Sequence, residues 1–520
     1  MRRPVFRLHS LACALALGLA LSAPAEGPAQ AHSLPTLGDA VSGDIPLQVE
    51  RKLGDEIMSS IYGDPAYLSD PVLQDYVRSL WLPLVKAAKA RGEIHPEMED
   101  RLAFETFVLK DKSVNAFALP GGFVGVHLGL MAITQTPGEL ASVLGHELSH
   151  VTQRHIARGS IVGQRQSLLA TAATLLGLIA ATRGGGSIDA ASAVVMGSQA
   201  AAIQGQINFT RDMEREADRI GFGVLTDAGF PAASMALMFE NLQNVNRLDD
   251  GRFPYLRTHP LDTERIAEAR NRAGASLAAP PLEDTHAMMQ ARARVLMDTR
   301  PERLDEWQRA AESAERRPEH PMGRDYAATL SALKLKRWPQ AEAVLARMQS
   351  RTMSPPARRW LNLLEAELAL ARQQHPRAEA AIARNLQALG KPMDDLDVRP
   401  ELMLQSQIAF TRADRGPGEQ QVRDRLQAWV ISHPKDFDAW QELGNLWQLE
   451  GQTVRAIRAQ AESSFAMGDL IGAIDRMSAA QKLVRDNTQL DPIEASVVAS
   501  RLKVWRQTLM DRMKDRERRL

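Results

Sequence analysis

Apolar residues recur at helical spacing over most of the chain, and the clearest case lies between Leu140 and Val151. There they fall three and four positions apart, which predicts a helix with one buried stripe. Just upstream, Thr136 is a good N-cap residue, Pro137 suits the first helical position and Glu139 can complete a capping box. This helix is therefore predicted to begin directly after Thr136.

A strand pattern occurs in one part of the chain, between residues 101 and 128. Phe104, Thr106 and Val108 alternate along the sequence, and the run 123–128 is also strand-like. Gly121-Gly122 predicts a tight turn or a place where another backbone comes close. An exposed strand edge here would add backbone hydrogen bonds to an extended peptide substrate. The residues predicted to form this substrate-binding edge are Phe123, Val124, Gly125 and Val126.

From residue 285 onward the pattern changes to short helices without strands. Trp440-x-x-Leu443-Gly444-x-x-Trp447 matches the core of the tetratricopeptide (TPR) repeat, with Trp in place of Tyr. Stacked helix pairs of this kind form a concave surface for peptides or partner proteins. A TPR-like solenoid is therefore predicted, with irregular spacing over 300–420, and a plain helical bundle is the alternative. Small residues also recur twelve positions apart, where such helices cross: Ala366 with Ala378, Gly444 with Ala456, and Ala461 with Ala473.

The first 31 residues have the composition of a secretory signal. A basic start is followed by an apolar stretch from Leu11 to Ala23, and small-residue cleavage sites end at Ala25 and Ala31. An uncleaved membrane anchor is the alternative, although a span needs about 20 apolar residues. Cys13, the only cysteine, lies in this segment, so the exported protein is predicted to use only His and carboxylate side chains as strong metal ligands.

Charge and a second apolar segment limit the choice of partners. The 63 Lys and Arg residues balance 63 Asp and Glu residues, which argues against a nucleic-acid partner because phosphate binding needs clustered positive charge. Residues 167–202 are small and apolar around a Gly184-Gly185-Gly186 break. This segment is predicted to be a buried helical hairpin. The alternative is a mobile lid, or a surface that makes peripheral contact with a membrane or with unfolded protein.

The helix that follows Thr136 carries His146, Glu147 and His150 in the pattern H-E-x-x-H. Residues i and i+4 share one helix face, so both imidazoles can bind one ion, and Glu147 lies about 100° round the helix beside them. Zinc held by such ligands keeps an open position for water and lowers the pKa of that water to roughly 7. Glu147 can take the proton and pass it to a leaving amine, as peptide-bond hydrolysis requires. The alternative is an ordinary surface helix.

The third ligand of a catalytic zinc site must come from elsewhere in the chain. The long metzincin motif is excluded, because Ile156 and Gln153 stand where that motif has His and Gly. On a continuous helix His155 would lie about 180° round from His146. His155 is therefore predicted to be a polar surface or capping residue.

A carboxylate ligand is available in the acidic helical segment 210–221. Glu214 and Asp218 are four positions apart and share one face, whereas Glu216 lies about 200° round the helix from Glu214. Glu214 is predicted to bind the metal, and Asp218 to accept the second ring N–H of a liganding histidine. A charged helix with ordinary Glu–Arg pairs is the alternative.

At these residues the chain resembles peptidase family M48, which is marked by H-E-x-x-H followed some tens of residues later by E-x-x-x-D. Residues 113–124 resemble the family's N-A-F-A-x-x-G-G segment, a strand near the active site, and residues 255–260 resemble the T-H-P loop of one branch. That branch, the beta-barrel assembly-enhancing proteases, joins an M48 domain to a C-terminal repeat domain. The resemblance covers nearly the whole mature chain.

The sequence and the resemblance together predict a mainly α fold class. An α+β zincin-like metalloprotease domain with a small sheet, 44–280, is expected to precede an all-α TPR-like solenoid, 285–520. The resemblance implies a periplasmic zinc metalloendopeptidase of the gluzincin type, with one Zn²⁺ held by His146, His150 and Glu214 and with Glu147 as general base. The expected substrates are unfolded or misassembled outer-membrane β-barrel proteins. The expected partner is the β-barrel assembly machinery, reached through the repeats in a chaperone-like role.

His259 precedes Pro260 in a predicted loop. The resemblance implies that His259 occupies the fourth zinc position and displaces the catalytic water until a substrate or partner moves the loop. Neutral imidazole is a good zinc ligand, so the chemistry permits this arrangement. Stabilisation of an oxyanion and a plain turn residue are the two alternatives.

A protein of another class would share the same fold and repeats. It would be a periplasmic TPR chaperone or scaffold whose metal site is blocked or vestigial. A membrane-embedded relative is disfavoured because the sequence has no second long apolar span.

Overall fold

The computed structural model describes residues 45–161, 211–246, 254–274, 281–312, 320–390, 398–412, 417–486 and 491–517. The predicted signal segment, 1–31, and the apolar segment 167–202 lie outside these residues. The described part of the chain is mainly helical, with one three-stranded sheet near its start, as the sequence predicted. None of its helices combines the length and the apolar character that crossing a bilayer requires.

The first group of elements contains the sheet. Its helices are α1 Leu47–Tyr62, α2 Pro71–Ala90, α3 Pro96–Arg101, α4 Leu128–Ile133, α5 Pro137–Thr152, α6 His155–Ile161, α7 Arg211–Asp227, α8 Ala233–Asn246, α9 Pro254–Thr258 and α10 Thr263–Ala273. Its strands are β1 Glu105–Leu109, β2 Ala116–Leu119 and β3 Phe123–His127.

The second group is entirely helical within the described residues. Its members are α11 Asp284–Met297, α12 Pro301–Glu312, α13 Pro321–Lys334, α14 Trp338–Gln349, α15 Pro355–Ala371, α16 His375–Leu389, α17 Arg399–Thr411, α18 Pro417–Ser432, α19 Phe437–Leu449, α20 Thr453–Ala466, α21 Leu470–Asp486 and α22 Pro492–Glu517.

The strand order of the sheet is β1-β3-β2, which makes β3 the central strand. β3 pairs in parallel with β1 and antiparallel with β2. The prediction that Phe123, Val124, Gly125 and Val126 form an exposed edge is therefore wrong, because strands lie on both sides of them. The outer strand that packs beside α5 is β2.

The turn between β2 and β3 forms as predicted, but β1 begins later than predicted. Gly121 and Gly122 have φ values of 83° and 86°, which a residue without a Cβ adopts easily. Phe104 has a φ of 47°, and its carbonyl accepts a hydrogen bond from Trp81 Nε1 at 2.7 Å. Phe104 therefore lies outside the strand, which starts at Glu105.

The two faces of the sheet pack on different helices, so β2 and β3 are buried throughout. Val108, Ala118 and Val124 join the main apolar core, which includes residues of α2 and α5. Phe107 and Phe117 face the other way and form a separate cluster with residues of α1. Because both faces are covered there, β2 and β3 are mainly apolar along their whole length instead of alternating.

The helical group shows the helix pairing that the small-residue spacing predicted. A Cβ added to Gly444 of α19 would lie 3.4 Å from the carbonyl oxygen of Ala456 in α20, so the two backbones approach closely there. Gly451 and Gly468 have φ values of 72° and 84° at the turns after α19 and α20. This region is consistent with a TPR-like arrangement.

Two arginines of the helical group contact the start of α2. Arg292 binds Asp70, the N-cap of α2, while Arg359 binds Asp75 one turn further on. Arg292 also binds Glu367 of α15. All described residues lie in one compact unit, Asp44–Leu520, and the predicted boundary near residue 280 stays a prediction.

Candidate metal centre

Helix α5 begins as the sequence predicted. Thr136 Oγ1 accepts the backbone N–H of Glu139 at 3.2 Å, and Pro137 is the first helical residue. The Glu139 carboxylate accepts the N–H of Gln135 at 2.9 Å, one residue before the N-cap. Every residue from Gly138 to Thr152 is buried, so the helix is enclosed on all sides and its side chains have fixed surroundings.

Helices α5 and α7 cross at two glycines. A Cβ added to Gly221 would lie 3.1 Å from the backbone carbonyl of Gly145, and a Cβ on Gly145 would lie 3.4 Å from the carbonyl oxygen of Gly221. Neither helix has a side chain at the contact, so the two backbones lie against each other. This close crossing brings Glu214 and Asp218 of α7 beside the H-E-x-x-H motif of α5.

Four buried side chains converge at the crossing: His146, His150, Glu214 and His259. One ligand atom from each lies within 4.8 Å of the others. The Nε2 atoms of His146 and His150 are 2.9 Å apart, and the Glu214 carboxylate oxygens lie 3.5 and 3.4 Å from them. Imidazole nitrogens and a carboxylate oxygen are donors that divalent transition metals accept. The cluster could therefore hold one metal ion.

Glu147 lies beside this cluster and is fully buried. Its Oε2 accepts the backbone N–H of Ala118 in β2 at 3.0 Å. Its Oε1 accepts no hydrogen bond from the described residues and lies 3.5 Å from His259 Nε2. One carboxylate oxygen is thus held by the sheet while the other faces the cluster, as a proton-accepting group needs.

The outward backbone groups of β2 also face this site. His127 N–H donates to the Asn115 carbonyl at 3.0 Å, which identifies Asn115 and His127 as a hydrogen-bonded pair. In an antiparallel ladder such pairs alternate, so the backbone N–H and C=O of Phe117 point toward β3 and those of Ala116 and Ala118 point outward. The contact between Ala118 and Glu147 agrees with this alternation. The strand edge next to the site is therefore that of β2 and not that of β3.

Asp218 lies beside His146, the position that its predicted role requires. Its Oδ1 lies 2.9 Å from His146 Nδ1, on the opposite side of the ring from the cluster. Burial lowers the pKa of His146, but the carboxylates of Asp218 and Glu214, which accept hydrogen bonds from the ring, outweigh it and raise this pKa to about 10. The field that stabilises a proton on this ring also attracts a metal cation.

Arg265 was not predicted from the sequence, and it holds both carboxylates of α7. Its Nε and Nη2 donate to Asp218 at 2.6 and 2.8 Å, and its Nη1 lies 2.8 Å from Glu214 Oε2. Burial raises the pKa of each carboxyl, but the neighbouring cationic groups outweigh it and lower both pKa values. Arg265 lies on the same buried stripe of α10 as Ala269 and Ala273, so periodicity could have found it.

His155 is buried, so its predicted place on the surface is wrong. Helix α5 ends at Thr152, and Arg154 has a left-handed φ of 52°, which turns the chain back before α6 begins at His155. His155 Nδ1 lies 2.8 Å from His150 Nδ1, and His155 Nε2 lies 3.0 Å from Glu216 Oε2. Hydrogen bonds from His155 and Arg158 lower the pKa of Glu216 to about 2 against the effect of burial.

His259 follows the short helix α9 and joins the cluster. Its backbone N–H donates to the Tyr255 carbonyl at 2.8 Å, and its Nδ1 lies 3.0 Å from Glu214 Oε1 and 3.3 Å from His146 Nε2. Arg265 Nη1 donates to the Pro260 carbonyl at 2.7 Å and fixes the next residue of the loop. A plain turn residue would not be buried against two ligands, so that interpretation is wrong; the blocking and oxyanion interpretations both fit.

An H-E-x-x-H helix, a carboxylate from a second helix and a carboxylate base beside them define a metallopeptidase type of site. Residues 74–273 match the profile of peptidase family M48, so the chain contains an M48 metallopeptidase domain.

Three relatives carry related names. The chain is 28% identical over 462 residues to the beta-barrel assembly-enhancing protease of Escherichia coli (strain K12), covering 88% of both chains. The protein of that name from Yersinia pestis is 29% identical, over 88% of this chain and 89% of its own length. A putative beta-barrel assembly-enhancing protease of Vibrio cholerae is 39% identical over 243 residues, about half of each chain: 46% of this one and 47% of the relative.

Proposed function

We propose that this protein is a zinc-dependent endopeptidase of the gluzincin type. The observation that carries the proposal is the convergence of His146, His150 and Glu214 beside a carboxylate, Glu147, that has one oxygen facing the cluster. Bound zinc would supply a Lewis acid that polarises the scissile carbonyl and lowers the pKa of a water molecule. The two histidines and Glu214 would hold that ion.

Glu147 is the general base of the proposed reaction. Its Oε1 takes a proton from the attacking water, and the same carboxyl then gives a proton to the leaving amine. The hydrogen bond from Ala118 N–H fixes the carboxylate through Oε2 and leaves Oε1 for this work. An extended substrate would lie along β2, where the outward N–H and carbonyl of Ala116 and the outward carbonyl of Ala118 can pair with it.

His259 regulates this site in the proposal. Its ring lies against two of the ligands, at the place where a fourth ligand would sit. In this position His259 blocks the approach of a substrate carbonyl, and movement of the loop around Pro260 opens the site. The oxyanion role is the competing assignment, and it requires that His259 assist catalysis instead of limiting it.

The relatives' names suggest the biological role. We propose that the protein works in the periplasm on misassembled outer-membrane β-barrel proteins, and that the helical group engages the β-barrel assembly machinery. The competing function is a TPR-type chaperone or scaffold in which the metal site is inactive. Both functions use the same helical surfaces, so only the chemistry of the metal site separates them.

Hydrolysis of casein by the purified protein tests the enzymatic proposal. Glu147→Gln keeps the size of the side chain and can still accept from Ala118, so zinc should stay bound while activity falls by about 10²- to 10⁴-fold. If the variant hydrolyses casein like the wild type, the general-base assignment fails. If neither protein hydrolyses casein while both support β-barrel assembly, the scaffold function is the correct one.

Metal analysis tests the ligand set separately. Glu214→Ala removes the only ligand from α7 and should lower the zinc content of the purified protein sharply. Asp212→Ala is the matched control, because Asp212 lies on the same helix with its side chain 92% exposed. Equal zinc in the two variants would contradict the assignment of Glu214.

A further inference from the structure

The surroundings of His150 differ from those of His146 on the side of the ring that faces away from the cluster. His146 Nδ1 meets a carboxylate directly, whereas His150 Nδ1 meets a second imidazole, that of His155, at 2.8 Å. His155 in turn meets Glu216 at 3.0 Å. His150 and His155 are both fully buried, so water does not take over these contacts.

We propose that His155 and Glu216 are positioning residues that fix which ring nitrogen of His150 carries the proton, and so prepare its Nε2 to bind the metal ion. The inference rests on the proposed function, since it takes His150 to be a zinc ligand. It assigns a task to a histidine outside the H-E-x-x-H motif.

The direction of the hydrogen bonds follows from the donors and acceptors. Glu216 Oε2 also accepts from Arg158 Nη1 at 2.8 Å, so it is an ionised carboxylate that can only accept. His155 Nε2 must therefore carry a proton. In a neutral imidazole the other nitrogen is an acceptor, so His155 Nδ1 accepts the proton on His150 Nδ1. The lone pair of His150 is then on Nε2, the atom 3.4 Å from Glu214 Oε1.

The local backbone is built to place His155 there. Arg154 adopts a left-handed conformation that costs free energy in a residue with a Cβ. It is held in that conformation by its own side chain, which donates to Glu50 Oε1 through Nε at 3.0 Å and Nη2 at 2.6 Å and also to the Ile45 carbonyl. Strained backbone that persists beside a site commonly serves that site. Here the left-handed residue separates α6 from α5 and places His155 Nδ1 2.8 Å from His150 Nδ1.

The opposite arrangement of protons makes the opposite prediction. If His155 carried two protons, His150 Nδ1 would accept one of them and His150 Nε2 would hold a hydrogen that points at the metal position. His155 would then oppose metal binding, and its removal would tighten it. Measured zinc affinity therefore distinguishes the two arrangements.

The experiment measures the zinc dissociation constant of the full chain by competition with a chromophoric chelator. His155→Leu removes the acceptor and keeps most of the volume, and it should weaken zinc binding by about 10- to 100-fold, as loss of a ligand's hydrogen-bond partner does. His155→Asn should recover most of the affinity, because the Asn amide oxygen lies near the position of Nδ1 and accepts the same proton. The absorption band of bound Co²⁺ should shift in the Leu variant and return toward the wild type in the Asn variant.

His286→Leu is the matched control, since His286 is also a buried imidazole with two hydrogen-bond contacts, to Tyr76 and to the Thr134 carbonyl. It should leave zinc affinity unchanged. Wild-type or tighter zinc binding in His155→Leu overturns the proposal. So does a loss in His155→Leu that His155→Asn does not recover and His286→Leu reproduces, because that result indicates packing alone.

A second variant covers the case in which His155→Leu does not fold. Glu216→Gln changes a partly exposed side chain and should weaken zinc binding less than His155→Leu is expected to; unchanged affinity there would overturn the proposal. Failure of the proposed function is a separate result: the wild-type protein would bind no zinc, or Glu147→Gln would keep its activity. Active, zinc-loaded wild type beside an equally zinc-loaded His155→Leu protein refutes only the role of His155.

Discussion

Two regions of this molecule bury charge in opposite ways. Around Arg292 the charges form a closed set, in which each charged group is paired with another of opposite sign. The Arg292 guanidinium donates to the carboxylates of Asp70 and Glu367 at 2.6–3.1 Å. Around His146 and His150 the groups are mostly acceptors aimed at a common point, with two ring nitrogens 2.9 Å apart. A closed set of charges holds two elements together, whereas an acceptor-rich set binds a cation. Buried charge therefore marks a functional site only when its partners are incomplete.

Removal of the cation from the closed set should give the largest change in stability. Arg292→Met leaves the buried carboxylate of Asp70 and the partly exposed carboxylate of Glu367 without this partner, and loss of such a buried partner typically costs about 3–5 kcal/mol. The urea midpoint of unfolding should fall accordingly, while the zinc content per folded chain stays the same. Arg270→Met is the control, because Arg270 forms an exposed pair with Glu240 and its loss should change the midpoint little. Loss of zinc in Arg292→Met at low urea would show that the two regions are not separate in this sense.

The pH dependence of stability should distinguish the packing of α11 against α2 from the metal centre. Burial lowers the pKa of His286 to about 4, and the ring contacts Tyr76 of α2. Because the folded-state pKa lies below the unfolded value of about 6.5, the stabilising contribution is complete above pH 6.5 and is lost as the pH falls toward 4, up to about 3 kcal/mol. In His286→Gln the fall in unfolding free energy between pH 7 and pH 4.5 should be smaller by about 2–3 kcal/mol. Parallel pH profiles for the two proteins would contradict this assignment.

At the metal centre the corresponding change should affect binding more than folding. Asp218→Asn replaces an anionic acceptor of the His146 N–H with a neutral one and should raise the zinc dissociation constant by about 10- to 100-fold. Asp212→Asn, an exposed change on the same helix, should leave that constant unchanged. If Asp218→Asn instead lowers the urea midpoint as much as Arg292→Met without changing zinc affinity, Asp218 stabilises the fold, like the paired charges around Arg292, and does not support metal binding.

The smallest expected effect concerns His259. If this residue blocks the site, His259→Ala should raise casein hydrolysis by at most about tenfold. The variant gains only the fraction of molecules that His259 holds in the blocked state in the wild type. Self-cleavage, visible as fragments on a gel, should rise with it. His95→Ala, at an exposed histidine, should change neither readout. Activity that falls while zinc is retained would favour the oxyanion role.

The elements that could be predicted from the sequence are those whose information is local. The start of α5 depends on Thr136 and Glu139, which are three positions apart, and the shared faces of His146 with His150 and of Glu214 with Asp218 follow from the helical turn alone. The structure brings all four of these site residues together. Their roles in catalysis stay predictions, because geometry alone does not measure them.

The features that could not be predicted depend on distant contacts. The left-handed residue Arg154, which ends the helical path before His155, pairs with Glu50, 104 positions away, and no periodicity around His155 signals that break. β3 is central because it pairs in parallel with β1, although β2 lies between these two strands in the sequence. A turn at Gly121-Gly122 predicts which strand follows β2 but leaves open which strand lies on the far side of β3.

The crossing of α5 and α7 at Gly145 and Gly221 has a consequence for metal binding. The two backbones lie in contact at this crossing, so we expect it to limit how closely Glu214 approaches the two histidines. A methyl group at either glycine would push the helices apart by tenths of an ångström without altering any donor atom. Zinc, with bonds of about 2.0–2.2 Å to N and O donors, would fit the wider site less well than it fits the original one. We therefore expect zinc affinity to depend on two residues, Gly145 and Gly221, that contribute no donor atom.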